Sequence, residues 1–241
     1  MTYKKLKPKL IITRPVESAN LFASFFERNL QKEQIIISPA IEIKFFSRPK
    51  ILRKTPNLIF TSSNGVKAAG QATDNNIRAI CVGDRTTSLA SSLGYSAEKY
   101  GDNVEQLIKK LCLNTNIEGN ILHVRGKYTK VDLMDRLLAA GFLCHEWEGY
   151  DQIAKNLSFH ALNAFKNGEK IILPIFSERS GRLLKDQVPN FDKCHIIAIS
   201  SAVANVFLDE SPASISEAQT PDLVGMRSST KTVLKTHFLS N

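Results

Sequence analysis

Parts of this chain recur roughly half its length later. IFTSSNG at 59–65 is echoed by IFSERSG at 175–181, ICVG at 80–83 by IAIS at 197–200, and IITR at 11–14 by LHVR at 122–125. Labelled A (11–14), B (59–65) and C (80–83), the modules run A-B-C-A-B-C. Each opens on a short apolar run and continues into a helical pattern. The runs are apolar throughout rather than alternating, which suits strands buried on both faces. Alternation of such strands with helices predicts an α/β fold with parallel sheets flanked by helices.

Strands are predicted at 10–13, 34–38, 58–61, 79–82, 121–124, 142–147, 170–176 and 195–199. A helix is predicted over 15–30, with Val16, Phe22, Phe25, Phe26 and Leu30 on one face and Pro15 near its first turn. A second is predicted over 131–140, with Leu133, Met134, Leu137 and Leu138 on one face and Gly141 just past its end. Pro174 lies inside KIILPIF, where it removes a ladder donor and implies a bulge, an edge position or a shortened strand. A plain tandem repeat would divide the chain near its middle. Residues 40–45 instead alternate apolar and polar, and 147–152 form a second extended candidate. Paired as a two-stranded antiparallel connector (39–47 and 147–155), they make the first domain discontinuous, 1–38 with 156–241, around a second domain at 48–146. Each part is large enough for its own core.

Composition excludes several classes. With 241 residues, 43% apolar and 23% charged, the chain is neither disordered nor fibrous. No apolar run approaches the ~18 residues of a membrane helix. The opening MTYKKLKPKLIITRP has only three apolar residues before Thr13 and Arg14, too few for a secretory signal, so a cytoplasmic address is expected. The net charge is +9, with Lys4, Lys5, Lys7 and Lys9 crowded at the start. Two readings stand open: a solvated arm, or attraction to an anionic ligand, either nucleic acid or a small polycarboxylate or phosphate. No RNA-recognition, zinc-finger or helix-turn-helix signature occurs. Cys81, Cys112, Cys144 and Cys194 form no C-x-x-C pair and read as buried small hydrophobes in a reducing compartment. The histidines form no H-E-x-x-H, so no metal is expected.

In open parallel sheets ligands bind beyond the carboxyl ends of the strands. There the chain places Thr13-Arg14, Thr61-Ser62-Ser63-Asn64, Gly83-Asp84-Arg85-Thr86, Arg125-Gly126-Lys127, Ser177 and Ser200-Ser201. These hydroxyls, small residues and cations each precede a predicted helix, whose N-terminal N–H groups favour anions. A plain structural reading stands beside the functional one. A serine or threonine after a strand caps a helix, Arg14 and Arg125 serve as surface charges, and Tyr150 packs. No nucleophile with a base, no G-x-S-x-G and no glycine-rich phosphate loop occurs. Chemistry here would depend on positioning and backbone electrostatics.

Together, IITRP (11–15), IFTSSNGVKAA (59–69), CVGDRTTSLASSLGY (81–95), VRGKYTKVDLMDRLLAAGF (124–142), GYDQ (149–152) and AQTPDLV (218–224) resemble the uroporphyrinogen-III synthase family, in the family's order and over most of the chain. The resemblance implies two α/β domains on a two-stranded connector and a cofactor-free lyase that acts on hydroxymethylbilane. Ring A of that linear tetrapyrrole loses its hydroxyl. The chain closes through a spirocyclic intermediate, ring D is inverted, and uroporphyrinogen III and water result. The eight carboxylates of the substrate suit a basic protein. By position, Tyr150 matches the tyrosine that assists loss of the hydroxyl; a phenol, with a pKa of ~10, keeps its proton for donation at neutral pH. Thr61, Ser62, Ser63, Thr86 and Ser177 match substrate-binding hydroxyl positions, and Arg14 and Arg125 the arginines of the A modules. A monomer is implied, receiving its substrate from hydroxymethylbilane synthase, with no nucleic acid and no membrane. Three positions depart from the pattern: Ser200 stands for a glycine, Val203 for a threonine, and Glu178 adds negative charge. They motivate the alternative of a non-catalytic tetrapyrrole- or anion-binding protein on the same fold. A nucleic-acid-associated protein using the lysines at 4–9 is a third reading.

Overall fold

The computed structural model describes residues 8–113, 117–129 and 133–239. The chain begins β1 (Lys9–Ile12), α1 (Val16–Ala23), β2 (Ile35–Ile37), β3 (Ile41–Phe45), β4 (Asn57–Phe60), α2 (Ser63–Ala69), β5 (Arg78–Val82), α3 (Asp84–Ser92), β6 (Ser96–Gly101) and α4 (Val104–Leu113). It continues β7 (Ile121–Gly126), α5 (Leu133–Ala139), β8 (Cys144–Ala154), α6 (Phe159–Lys166), β9 (Ile171–Ile175), α7 (Glu178–Lys185), β10 (Cys194–Ala198), α8 (Ser201–Ala204), β11 (Ser214–Glu217) and α9 (Leu223–Leu234).

Two compact units result: Met1–Glu42 with Ala154–Asn241, and Ile43–Ile153. The chain leaves the first unit within β3 and returns to it within β8. The sheet of the first unit has the order β2-β1-β9-β10-β11, and that of the second β8-β7-β4-β5-β6, with β3 alongside β8. Every pairing within these two five-strand sets is parallel. Phe46 N–H donates to Gly149 O and Lys155 N–H to Ala40 O, so partners move in opposite directions along the chain and β3 runs antiparallel to β8. The repeat now has a geometric meaning. In both sheets A, B and C are adjacent and in that order, although the chain supplies B and C before A in the second unit. Beside A the winding reverses, between β1 and β9 in one sheet and between β7 and β4 in the other.

Both faces of each sheet are covered. Leu10 and Ile12 pack with Phe22 of α1 and Met226 of α9, while Ile11 turns to Ala161 of α6 and Leu184 of α7. Leu58 and Phe60 join Val66 of α2 and Ala90 of α3, while Ile59 joins Leu107 of α4 and Leu137 of α5. Each such side chain contributes about 1.5–3 kcal/mol on leaving water, which is why β1 and β4 are apolar on both faces.

Several expectations are corrected. The first helix ends at Ala23, where the Ser24 hydroxyl donates to Leu21 O and competes with the ladder; Val16 and Phe25 face outward. In α5, Leu133 and Leu137 face inward, while Leu138 lies a further 100° round and is exposed; residues 131 and 132 lie outside the described residues. Gly141, at φ +87°, ends this helix: its N–H donates to Leu138 O and that of Phe142 to Leu137 O. Strands β6 and β11 have no counterpart among the predicted strands. Each forms the polar edge of its sheet, paired on one side only. The segment 142–147 is the start of one unbroken strand, β8, that runs on to Ala154.

Pro174 sits in a central strand, paired with Ile197. Ile171 N–H donates to Lys193 O, and Ile175 O accepts from Ile199 N–H, so odd-numbered residues of β9 turn their backbone polar groups to β10. The missing donor of Pro174 therefore faces β1, and there the pairing stops at Leu10–Ile172. One ladder is shortened, with no bulge and no edge. Cys81, Cys144 and Cys194 are buried, but Cys112, one residue past the inward Leu111, is exposed. Lys9 belongs to β1, where its ammonium donates to Glu33 O at 2.9 Å; Lys4, Lys5 and Lys7 lie outside the described residues.

Candidate active site at the strand ends

In the second unit the B strand β4 ends and α2 begins at Ser62, whose side chain accepts from Gly65 N–H at 3.3 Å. This satisfies one of the free donors of the first turn. The same hydroxyl lies 2.9 Å from the phenol oxygen of Tyr150. Tyr150 arrives there through a bulge. Along β8, Glu146 pairs with His123 and Glu148 with Arg125, but Gly126 pairs with Tyr150, leaving Gly149 as an extra residue. In a regular strand Tyr150, two residues on from Glu148, would share the face of Glu146 and Glu148; because Gly149 is bulged out of the pairing, Tyr150 turns to the opposite face, among Val66, Ala68 and Val124. Two glycines make the room. A Cβ on Gly149 would stand 2.8 Å from Ala68 Cβ, and one on Gly126 2.9 Å from the Tyr150 ring.

The other face of the same strand ends is polar. Thr61 Oγ1 lies 3.4 Å from Nε2 of His123, a residue 4% exposed. Burial pushes the His123 pKa down to about 4, against the opposing pull of Glu146, so the ring is neutral. Arg125 pairs with Glu146 at 2.5 Å and Glu148 at 3.1 Å, and donates to the carbonyls of Gly126 and Lys127. Its charge is thus matched by two carboxylates of its own chain. His123 Nδ1 and Arg125 Nε are buried with no hydrogen-bond partner among the described residues. Ser63 is half-buried at the start of α2, and Thr86, three residues into α3, is only 5% exposed.

In the first unit Ser177 caps α7, accepting from Ser180 N–H at 3.1 Å, with its hydroxyl 2.8 Å from Ser180 Oγ. The Arg14 guanidinium lies 4.0 Å from the centroid of the Phe176 ring. Glu178 pairs with Arg182 one turn on, which offsets its charge. Val203 is part of the core, where a threonine hydroxyl would need a partner. Ser200 stands at the start of α8 without a side-chain capping bond. So the structure groups Thr61, Ser62, Ser63, Arg125 and Tyr150 at one winding reversal, between β7 and β4. Arg14 and Ser177 lie at the other, between β1 and β9, and Thr86 follows β5.

Sequence reasoning missed His123, Glu146, Glu148 and the roles of Gly126 and Gly149. The alternation E-W-E signals that both glutamates share a face; nothing in the sequence marks the bulge. Among the described residues no three His, Cys, Asp or Glu side chains group to hold a metal ion, and no helix is long and apolar enough to cross a membrane.

Fold and strand ends define a class: a doubly wound α/β protein of two like-ordered units with hydroxyl-lined strand ends. The family model described as uroporphyrinogen-III synthase HemD matches residues 28–227. The chain belongs to the uroporphyrinogen-III synthase family. Its fold is similar to that of uroporphyrinogen-III synthetase from Helicobacter pylori, with TM-score 0.66 and 16% identity, covering 94% of this chain and 99% of that one. A mutant uroporphyrinogen III synthase from Thermus thermophilus is similar too, with TM-score 0.55 and 12% identity, over 95% and 99% of the two chains. No curated protein matches the sequence.

Proposed function

We propose that this chain is the lyase that converts hydroxymethylbilane to uroporphyrinogen III and water. One observation carries the assignment of roles: in a chain of this family, the Tyr150 phenol meets a helix-capping serine at a winding reversal, where open α/β sheets bind ligands. In this reading the C–O bond of the hydroxymethyl group breaks with its electron pair on oxygen. The phenol proton of Tyr150 passes to that oxygen and water leaves. A methylene cation conjugated with the ring-A nitrogen remains, and ring D attacks it through the α-carbon that already carries its bridge to ring C, forming the spiro intermediate. That bridge bond then breaks and re-forms at the other α-carbon of ring D, which inverts the ring. The proton released when the rearranged ring regains its aromatic form balances the one donated. The side chains of Thr61, Ser63, Thr86 and Ser177, with Arg14, bind the carboxylates. Arg125 does so by exchanging Glu146 or Glu148 for a ligand carboxylate. Residues 39–47 and 147–155 act as the connector between the domains at 1–38 with 156–241 and at 48–146. The protein works as a cytoplasmic monomer, without cofactor, on bilane delivered by hydroxymethylbilane synthase.

The test is isomer outcome. With hydroxymethylbilane generated in place and the products oxidised and separated, isomer III is expected to dominate. Isomer I alone, from folded protein, would remove this reading and leave a binding protein on the same fold.

A further inference from the structure

We propose that Ser62 is a positioning residue for Tyr150, donating its hydroxyl hydrogen to the phenol oxygen so that the phenol's own proton points at the ligand. This deepens the proposed function and rests on it for the identity of the ligand alone. A serine hydroxyl has one hydrogen and two lone pairs. At Ser62 one lone pair already accepts Gly65 N–H, the cap of α2. The cap leaves the hydrogen and one lone pair free, so across the 2.9 Å to the Tyr150 oxygen either group can donate, and in this proposal Ser62 is the donor. The opposite arrangement, phenol donating to serine, would tie up the proton that the leaving oxygen needs.

The surroundings allow little alternative for the ring. Gly149 bulges β8 and turns Tyr150 toward α2, and Gly126 leaves the space that the ring fills. Tyr150 is 7% exposed, so its oxygen has few competing partners in water. Ser62 would also hold the negative oxygen left after the proton departs, since its donated hydrogen bond strengthens as charge develops there. The role differs from binding a substrate carboxylate, and the difference is measurable.

Three variants separate the two. Ser62→Ala removes cap and donor together. Ser62→Gly also lacks the hydroxyl but is a tolerated N-cap that costs the helix little, so it tests the donor with the helix kept and no charge added beside an anionic ligand. Both are expected to lower kcat about tenfold or more with KM little changed. In the Tyr150→Phe background the same changes should cost nearly nothing, because the group being positioned is gone. A signal from 13Cζ-labelled Tyr150, assigned by its loss in Tyr150→Phe, should move in both serine variants of the free protein. Equal losses with and without the Tyr150 hydroxyl, a rise in KM alone, or an unmoved 13Cζ signal would each overturn the proposal. If the wild type makes no isomer III, the synthase reading fails, while the 13Cζ signal still decides whether Ser62 holds the phenol.

Discussion

At the end of β4, Ser62 caps a helix and reaches Tyr150; at the end of β9, Ser177 caps a helix and reaches no further than Ser180. The modules began alike, as IFTSSNG and IFSERSG, and local physics kept them alike: strand, capping serine, helix with a buried glycine in its first turn, Gly65 three residues after Ser62 and Gly181 four after Ser177. The difference comes from the strand on the far side of A. In the second unit it is β8, whose bulge at Gly149 swings a tyrosine across. In the first unit β2 is three residues long and offers no such side chain. The A modules diverge in the same way: Arg14 rests on an aromatic ring, while Arg125 is held between two glutamates. A repeat preserves what its own residues dictate, and chemistry enters where a neighbour breaks the symmetry.

The largest effect should come from that asymmetry. Tyr150→Phe is expected to slow isomer III formation about 100-fold or more, with the melting temperature close to wild type. An unaltered rate would place the proton donor elsewhere and dissolve the contrast between the units. Comparable in size is the acid response of His123. Its pKa falls from the ordinary 6.5 of the unfolded chain to about 4 in the folded one. As pH drops through this window the unfolded state takes up the proton first. Stability is therefore greatest above the ordinary value and declines toward pH 4, by about 3 kcal/mol from this residue. Denaturant unfolding of His123→Gln should show a correspondingly flatter pH dependence than wild type.

A smaller contrast lies in the glycines of the two B modules. A Cβ on Gly65 would stand 2.7 Å from the backbone oxygen of Val124, which cannot swing aside. On Gly181 it would meet the Phe207 ring edge at 3.0 Å, which yields by a small rotation. Gly65→Ala should cost about 1–3 kcal/mol and Gly181→Ala less, partly offset by alanine's better helix propensity. Calorimetry of the two variants checks the order. Smallest are the caps themselves: Ser62→Ala and Ser177→Ala should each lose about 1 kcal/mol of stability, alike in both units.

Much of the fold was legible because burial on both faces writes itself into a strand as an unbroken apolar run, as in Leu58-Ile59-Phe60 and Leu10-Ile11-Ile12. The edge strands were not, since SAEKYG and SISE are paired on one side and keep polar residues. Helix ends were less legible where a side chain competes with the backbone, as Ser24 does. At the site, the hydroxyls and arginines announced themselves by following strands. Their partners did not: that Arg125 is neutralised, that His123 is buried beside Thr61, and that Gly149 is the bulged residue depend on register between strands distant in sequence. The departures Val203 and Glu178 became intelligible in the same way, one as core and one as half of an ion pair with Arg182.

The sharpest measurement sets the two capping serines against each other. Steady-state kinetics of isomer III formation would be recorded for Ser62→Ala and Ser177→Ala, which lose the same cap. Ser62→Ala should lower kcat about tenfold, and Ser177→Ala should raise KM with kcat kept. The same kinetic pattern from both serines would contradict this contrast, because the second unit would then hold no distinct place in the chemistry.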